Sequence, residues 1–353
     1  GCLTLIRAGS DSAAPIWEPL AATPDSRFTI SRNLYKNTLG TKLCFEETNH
    51  DLALTVRYTW LTSDAFGFVR DCQVENLADA PVDIEFIDGL RNLLPAGTPR
   101  FTQTNSSNLV DAYKWTELDA ASGLGIFTLY SGITDRAEPC ESLNANIVFC
   151  LGLDNPTVLL SADQVDLFRH GQAVTSESRK RGIRGSYFVN QTVEVPAESC
   201  AEWTIVANIE LSQADVVSLR NRLKFPADLK LELEGSVHDG SDALAKIMAM
   251  CDGLQETAEE NVSVHHYANV LFNVLRGGYF PDNYYVSARD FRSTIREFNR
   301  PVYIRNQALL SSLPERIPFS ELVLKVREEG DAQLARLCQE SVSYTHLTLP
   351  TMQ

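Results

Sequence analysis

Apolar and polar side chains alternate with a period of two through much of the first 210 residues. The clearest run is residues 52–60, where Leu52, Leu54, Val56, Tyr58 and Trp60 alternate with Ala53, Thr55, Arg57 and Thr59. Such a pattern gives a strand one buried face and one wet face. The chain is organised around residues 66–97, FGFVRDCQVENLADAPVDIEFIDGLRNLLPAG. Phe68, Cys72 and Val74 alternate there with Asp71, Gln73 and Glu75, and later Val82, Ile84 and Phe86 alternate with Asp83 and Glu85. Between them Asn and Asp can bond their own backbone and Pro81 fixes φ, so the pattern predicts a hairpin. Asp88, Gly89, Leu90, Arg91 and Asn92 then read as a polar, glycine-bearing binding loop. Residues 98–107 read as polar loop, and 108–117, 125–130, 146–151, 187–195 and 203–209 as further strands. Residues 164–169 fit a short helix or a strand. Regular strands spaced by turn signals predict a large antiparallel β-sandwich over residues 1–230.

At Ser212 the period changes. Ser212 and Asp215 form a capping-box-like start, with Val216, Leu219 and Leu223 at helical spacing. Pro226 is expected to end that helix. Ser241 reads as the cap of a second helix, with Leu244, Ile247, Met248, Cys251 and Leu254 inward. A third, over 264–276, stops at Gly277 and Gly278. A fourth begins at Ser287 and carries Phe291, Ile295 and Phe298, and later helices cover 320–328 and start at Asp331. Residues 231–340 thus read as a helical linker whose apolar faces need a partner. The last stretch, residues 341–353 (SVSYTHLTLPTMQ), resembles a translated sequencing adapter and is taken as non-native. With Gly1 in place of a start methionine, truncation is expected at both ends, and a removed signal segment stays open.

Composition narrows the partners. The 353 residues are 44% hydrophobic and carry a formal net charge of −15, so a sizeable core is available and phosphate backbones and anionic lipid are repelled. No nucleic acid and no membrane partner is expected, and no run is long and apolar enough for a bilayer span. Eight cysteines occur without a CxxC pair, mostly in apolar patterns; buried thiols in a reducing, cytoplasmic setting are the expectation. Glycosylation triplets at Asn105, Asn190 and Asn261 would matter only in a secreted protein.

Candidate chemistry is sparse. His265 and His266 are adjacent on a helix, about 100° apart around its axis, and cannot chelate one ion together. No HExxH, GxSxG or cysteine-protease signature is present. Gly123 and Gly125 form a lone GxG that suits a strand-entry turn. Carboxylates at Asp88, Asp111, Glu117, Asp135, Glu138 and Glu141 could include a glycosidase pair, although solvated strand faces produce the same pattern. Residues 179–185, RKRGIRG, form the one dense cationic run, either a solvated loop or an anion cradle. Trp60, Tyr113, Lys114 and Trp115 could make a sugar platform or belong to the core.

The strings FGFVRDCQVEN, PVDIEFIDGLRNLLPAG, SNLVDAYKWTELD, TDRAEPCESL, HHYANVLFNVLRGGYF and ARDF…FNR resemble the N-terminal part of bacterial carbohydrate-active proteins. They are similar to the cellobiose phosphorylase and cyclic β-1,2-glucan synthase group, glycoside hydrolase family 94. That resemblance implies a galactose mutarotase-like β-supersandwich and linker helices leading to a missing (α/α)6 barrel that holds the catalytic acid. It therefore implies no catalytic residue, no cofactor and no metal in this chain, with inorganic phosphate as co-substrate of the parent enzyme. The partners implied are an oligosaccharide, the chain's own catalytic barrel and a second copy in a homodimer. Loops 88–92 and 179–185 would then face substrate, with Asp88, Arg91, Asn92, Arg181 and Arg184 as the contacts. Two other readings stay open: a free-standing carbohydrate-binding or interaction module, and the N-terminal part of an α/α-barrel hydrolase.

Overall fold

The computed structural model describes residues 1–9, 11, 13–23, 25–133, 142–251, 253–254, 259–276 and 285–344. Two compact units divide the chain, residues 1–240 and 241–353.

Among the described residues, thirteen strands build the first unit. They are Cys2–Ala8 (β1), Ile30–Lys36 (β2), Leu43–Asn49 (β3), Leu54–Ser63 (β4), Gly67–Asn76 (β5), Val82–Leu93 (β6), Lys114–Asp119 (β7), Leu124–Leu129 (β8), Asn144–Leu151 (β9), Thr157–Leu159 (β10), Arg179–Arg181 (β11), Gly185–Val195 (β12) and Cys200–Ser212 (β13). They form a nine-stranded sheet, β11-β7-β8-β9-β13-β5-β4-β3-β2, and a four-stranded sheet, β1-β6-β12-β10. Pairings within both are antiparallel. The inner faces meet in a core of Ile6, Leu54, Val56, Val74, Ile84, Phe86, Tyr187, Val189, Trp203 and Ile205. This is the expected β-sandwich followed by helices.

Several local expectations are corrected. The stretch 66–97 is no hairpin: β5 pairs with β4 and β13, whereas β6 pairs with β1 and β12 in the other sheet. The turn after Asn76 carries the chain across the sandwich. Residues 88–92 are no loop but the end of β6. Residues 98–113 hold helices Arg100–Asn105 and Ser107–Tyr113, and strand begins only at Lys114. Residues 179–181 are an edge strand on β7. Residues 165–169 are helical.

The capping box at Ser212 is present: its side chain accepts from Asp215 N, and Asp215 accepts from Ser212 N. Helix Gln213–Arg222 and the first turns of helix Pro226–Met250 lie on the outer face of the large sheet. Leu219, Leu223, Leu229 and Leu233 pack there on Leu61, Phe66, Ile147, Phe149 and Val206. Pro226 opens the second helix, since a first-turn position needs no backbone N–H, and the helix runs through Ser241 without a cap there.

The second unit has its own core. Helix Ala288–Phe298 is capped by Ser287, whose side chain accepts from Asp290 N. It joins helices Arg300–Arg305, Gln307–Ser312, Phe319–Glu328 and Ala332–Tyr344 and a two-stranded ribbon, Tyr285–Ser287 with Arg316–Pro318. Phe291, Ile295, Val302, Leu310, Ile317, Leu322, Val326, Leu334 and Leu337 bury one another. These five helices bury one another's apolar faces, unlike the linker expectation, whereas helix Glu260–Leu275 leaves Val262, Phe272 and Leu275 exposed. The glycine stop at Gly277 and Gly278 lies outside the described residues.

Candidate functional site

The residues singled out as substrate contacts fall into three places in the first unit. Asp88 is fully buried on the inner face of β6. Its Oδ1 accepts from Arg70 Nη2 at 2.9 Å and Thr4 Oγ1 at 2.6 Å. Its Oδ2 accepts from Arg70 Nη1 at 3.0 Å, Trp203 Nε1 at 2.8 Å and Cys72 Sγ at 3.4 Å. The Arg70 guanidinium lies 4.5 Å from the Tyr58 ring centroid, and Trp203 stacks on Phe86 at 4.4 Å. Burial alone would make Arg70 easier to deprotonate. The facing Asp88 carboxylate more than offsets this and holds its pKa above the ordinary value. Burial likewise pushes the Cys72 thiol well up, so it stays protonated and donates. The node ties β1, β5, β6 and β13 together across the sandwich. Asp88 is thus a structural carboxylate, not a loop residue that could reach a sugar.

Three positions further along β6, at Arg91, the chain reaches solvent. Gly185 pairs with Leu93 and Ser186 with Arg91, which leaves Asn92 as an extra residue on β6, at φ 57°. A bulge of this kind re-aims the neighbouring side chains, and Asn tolerates the left-handed region. Across the gap β13 is irregular too. Asn208 pairs with Ile147 and Leu211 with Ala145, leaving Ile209 and Glu210 opposite Asn146, with Glu210 at φ 57°. Asn146 braces that turn by accepting from Glu210 N at 2.8 Å and donating to Leu94 O at 2.8 Å. Asn208 accepts from Ile209 N and donates to Ala65 O.

Between the two bulged rims lies a cleft of about 380 Å³ at the open end of the sandwich. Trp60, Phe68, Ala207 and Val148 line the large-sheet wall, Leu90, Arg91, Asn92 and Leu93 the other, with Phe127 between. Phe68, Leu94 and Ile209 are exposed at its mouth. Phe68 was expected on the buried face; it points to the inner side, but the smaller sheet stops short of it.

The third place is the edge strand β11. The Arg181 guanidinium sits 3.9 Å from the Trp115 ring centroid, and that of Arg179 sits 4.9 Å away. Trp115 Nε1 donates to Glu117 Oε2 at 3.1 Å. Lys180, on the opposite face, is neutralised by Asp163 and Glu177. Hydrogen bonding to Asp163 raises its pKa. Arg184 is exposed.

The four-residue platform does not assemble. Four strands separate β4 from β7, which puts Trp60 about 24 Å from Trp115 at the usual interstrand spacing. Lys114 is buried, donating to Asp111 Oδ1 and Gln103 Oε1. Asp135, Glu138 and Glu141 lie outside the described residues. Among the described residues no cluster of His, Cys, Asp or Glu could hold a metal ion, and no disulfide is formed. No described helix is long and apolar enough to cross a membrane.

The cleft itself was missed in the sequence. Its signal was there in Ala207, a small residue beside the large Trp60 and Phe68, but sheet order was needed to align them.

Comparison with known proteins gives one family match. A model described as glycoside hydrolase family 149 insertion domain 1 matches residues 280–342, the span that contains the helical core of the second unit. No curated protein sequence matches the chain. Among solved structures, a bacterial glucoamylase complexed with acarbose aligns with 99% of this chain and 52% of its own, at 9% identity and TM-score 0.43. Heparinase III aligns with 53% of this chain and 22% of its own, at 12% identity and TM-score 0.27. A 4-α-glucanotransferase from Thermococcus litoralis aligns with 59% of this chain and 27% of its own, at 12% identity and TM-score 0.24. The chain spans about half the length of that glucoamylase. The family match associates the helical unit with glycoside hydrolase-like, carbohydrate-active proteins.

Proposed function

We propose that this chain is the non-catalytic sandwich and helical region of a carbohydrate-active enzyme that cleaves β-linked gluco-oligosaccharides by phosphorolysis with inversion. One observation carries the carbohydrate part of the reading. The glycoside hydrolase family 149 insertion-domain match falls on residues 280–342, a segment with its own packed core that follows a two-sheet body. The phosphorolytic part, and the placement near family 94, rest on the resemblance of the strand and helix strings described above.

In this reaction a carboxylic acid donates a proton to the glycosidic oxygen while the C1–O bond breaks. A phosphate oxygen attacks C1 from the opposite face, so the products are a sugar 1-phosphate and a shortened glucan. We assign the proton donor to a barrel outside residues 1–353. Inorganic phosphate is a co-substrate there, and no cofactor is needed. The sandwich shapes the sugar site and contributes to contacts with a second copy. Arg91 and Asn92 at the cleft, Arg181 beside Trp115 and the exposed Arg184 are its substrate-facing candidates.

The test uses the complete gene product and a β-linked gluco-oligosaccharide. Phosphate-dependent release of sugar 1-phosphate is expected, with no turnover by residues 1–353 alone. Cleavage that proceeds equally without phosphate would make the parent a hydrolase. Turnover by the purified 353-residue chain would overturn the placement of the acid.

A further inference from the structure

We propose that the open-end cleft of the sandwich is a glucan-binding site, which seats the C–H face of a sugar ring on Trp60 and Phe68. The identity of the ligand rests on the carbohydrate reading above; the site itself rests on geometry. Phe68 pairs with Thr62 on one side and Ala207 on the other, and Trp60 pairs with Arg70. Trp60 and Phe68 are therefore diagonal neighbours on one sheet face, close enough for both to touch one ligand. Ala207 pairs in turn with Val148, so the row across the sheet runs Thr62, Phe68, Ala207 and Val148, with Trp60 diagonal to Phe68. The small Ala207 leaves a trough beside two aromatic faces.

The polar groups around the trough divide into two kinds. Asn146 and Asn208 are spent on bracing the β13 bulge. The side chains of Arg91 and Asn92 are exposed, and the Asn92 bulge directs them to the cleft mouth. Arg91 is fixed through its backbone by Gly1, leaving its guanidinium available. Among the described residues the lining contains no carboxylate. A cleft with aromatic walls, one amide and one guanidinium suits a neutral ligand with apolar faces and hydroxyl edges, and a β-linked glucan presents both. Its volume falls within the range of small-ligand sites.

Calorimetric titration of the 353-residue chain with cellohexaose and laminarihexaose tests this, beside inorganic phosphate alone. Saturable binding of at least one glucan is expected. Phe68→Ala, at an exposed position, should weaken it about fivefold without moving the unfolding midpoint. Ala207→Trp should abolish it by filling the trough. The proposal is overturned if neither glucan saturates, if Phe68→Ala leaves affinity unchanged, or if phosphate binds at Arg91 and the glucans do not. These results are separable from the parent's activity. A complete gene product that cleaves β-glucans while this chain binds none sinks only the cleft. Glucan binding here, with a parent inactive on every glycan, sinks only the proposed reaction.

Discussion

Asp88 shows how one residue's role depends on its neighbours. Its carboxylate is sealed from water and takes five donors, two of them from one guanidinium. Charges buried this way are costly to desolvate, and the pair holds only because each satisfies the other. Removing one partner strands the other, so Asp88→Ala should destabilise the first unit by about 3–5 kcal/mol. The double change Asp88→Leu with Arg70→Met should recover most of that loss. Urea unfolding followed by tryptophan fluorescence reads both, because Trp203 loses its acceptor in each. If Asp88→Ala unfolds at the wild-type midpoint, the node is not a cross-sheet tie. Asn92 invites a different change. At φ 57° a β-branched side chain is strained, so Asn92→Val should cost about 1–2 kcal/mol, whereas Asn92→Gly should be nearly neutral. Equal midpoints for the two would show that the bulge is not held in the left-handed region.

At the scale of elements, the patterns that local chemistry writes were legible and those that need a distant partner were not. Alternation over 52–60, 187–195 and 203–209 corresponds to strands β4, β12 and β13, and the caps at Ser212 and Ser287 open the helices expected of them. What failed was sheet membership. Asn76 to Pro81 has the residues of a hairpin turn, yet β5 finds better partners in β4 and β13. Asp88 looked like the start of a loop because its partner Arg70 lies in another strand and another sheet. Of the predicted contacts, Arg91 and Asn92 do reach a cleft, but its aromatic wall comes from strands of the opposite sheet.

Asp331 was legible as a helix start, and the structure adds why it matters. Its Oδ1 accepts from Gln333 N and Leu334 N, while its Oδ2 accepts from Asn306 Nδ2 at 2.9 Å and meets Arg305 at 3.1 Å. The hydrogen bond from Asn306 is the leading cause that lowers its pKa from 3.8 to about 2, with the helix N–H groups and Arg305 adding to it against partial burial. A depressed carboxylate stabilises the fold above its unfolded pKa, and that contribution fades as the pH falls from 3.8 toward about 2. Asp331→Ala should cost about 1 kcal/mol at neutral pH, in line with loss of an N-cap. The gap between mutant and wild type should close in that acid window. A gap that persists unchanged at pH 2 would mean the carboxylate's charge is not what caps the helix.

At the scale of the molecule, the decisive question is whether the helical unit is a body in its own right. Its core draws on residues from Val286 to Cys338, and each of the five helices described from Ala288 onward contributes at least one buried apolar side chain. The family match covers the same stretch, 280–342. A body of about 60 residues sits near the lower size limit for independent folding, so its margin is a few kcal/mol at most. Residues 280–344, expressed alone, should therefore give a helical circular dichroism spectrum and a single cooperative thermal transition at modest temperature. Phe291, 1% exposed, is the largest fully buried side chain in this core. Phe291→Ala forfeits about 3–5 kcal/mol of packing, more than that margin, and should leave the excised unit unfolded at room temperature. Phe298→Ala, on the same helix but exposed, should leave the transition in place. The pair of variants separates a true core from general helix propensity, because both remove one phenyl ring from one helix and only one of the rings is enclosed. A broad, non-cooperative melt of the parent segment, or equal effects of the two substitutions, would mean that these helices are held together by something beyond themselves. The unit would then be a linker, as its sequence first suggested, and not an inserted domain.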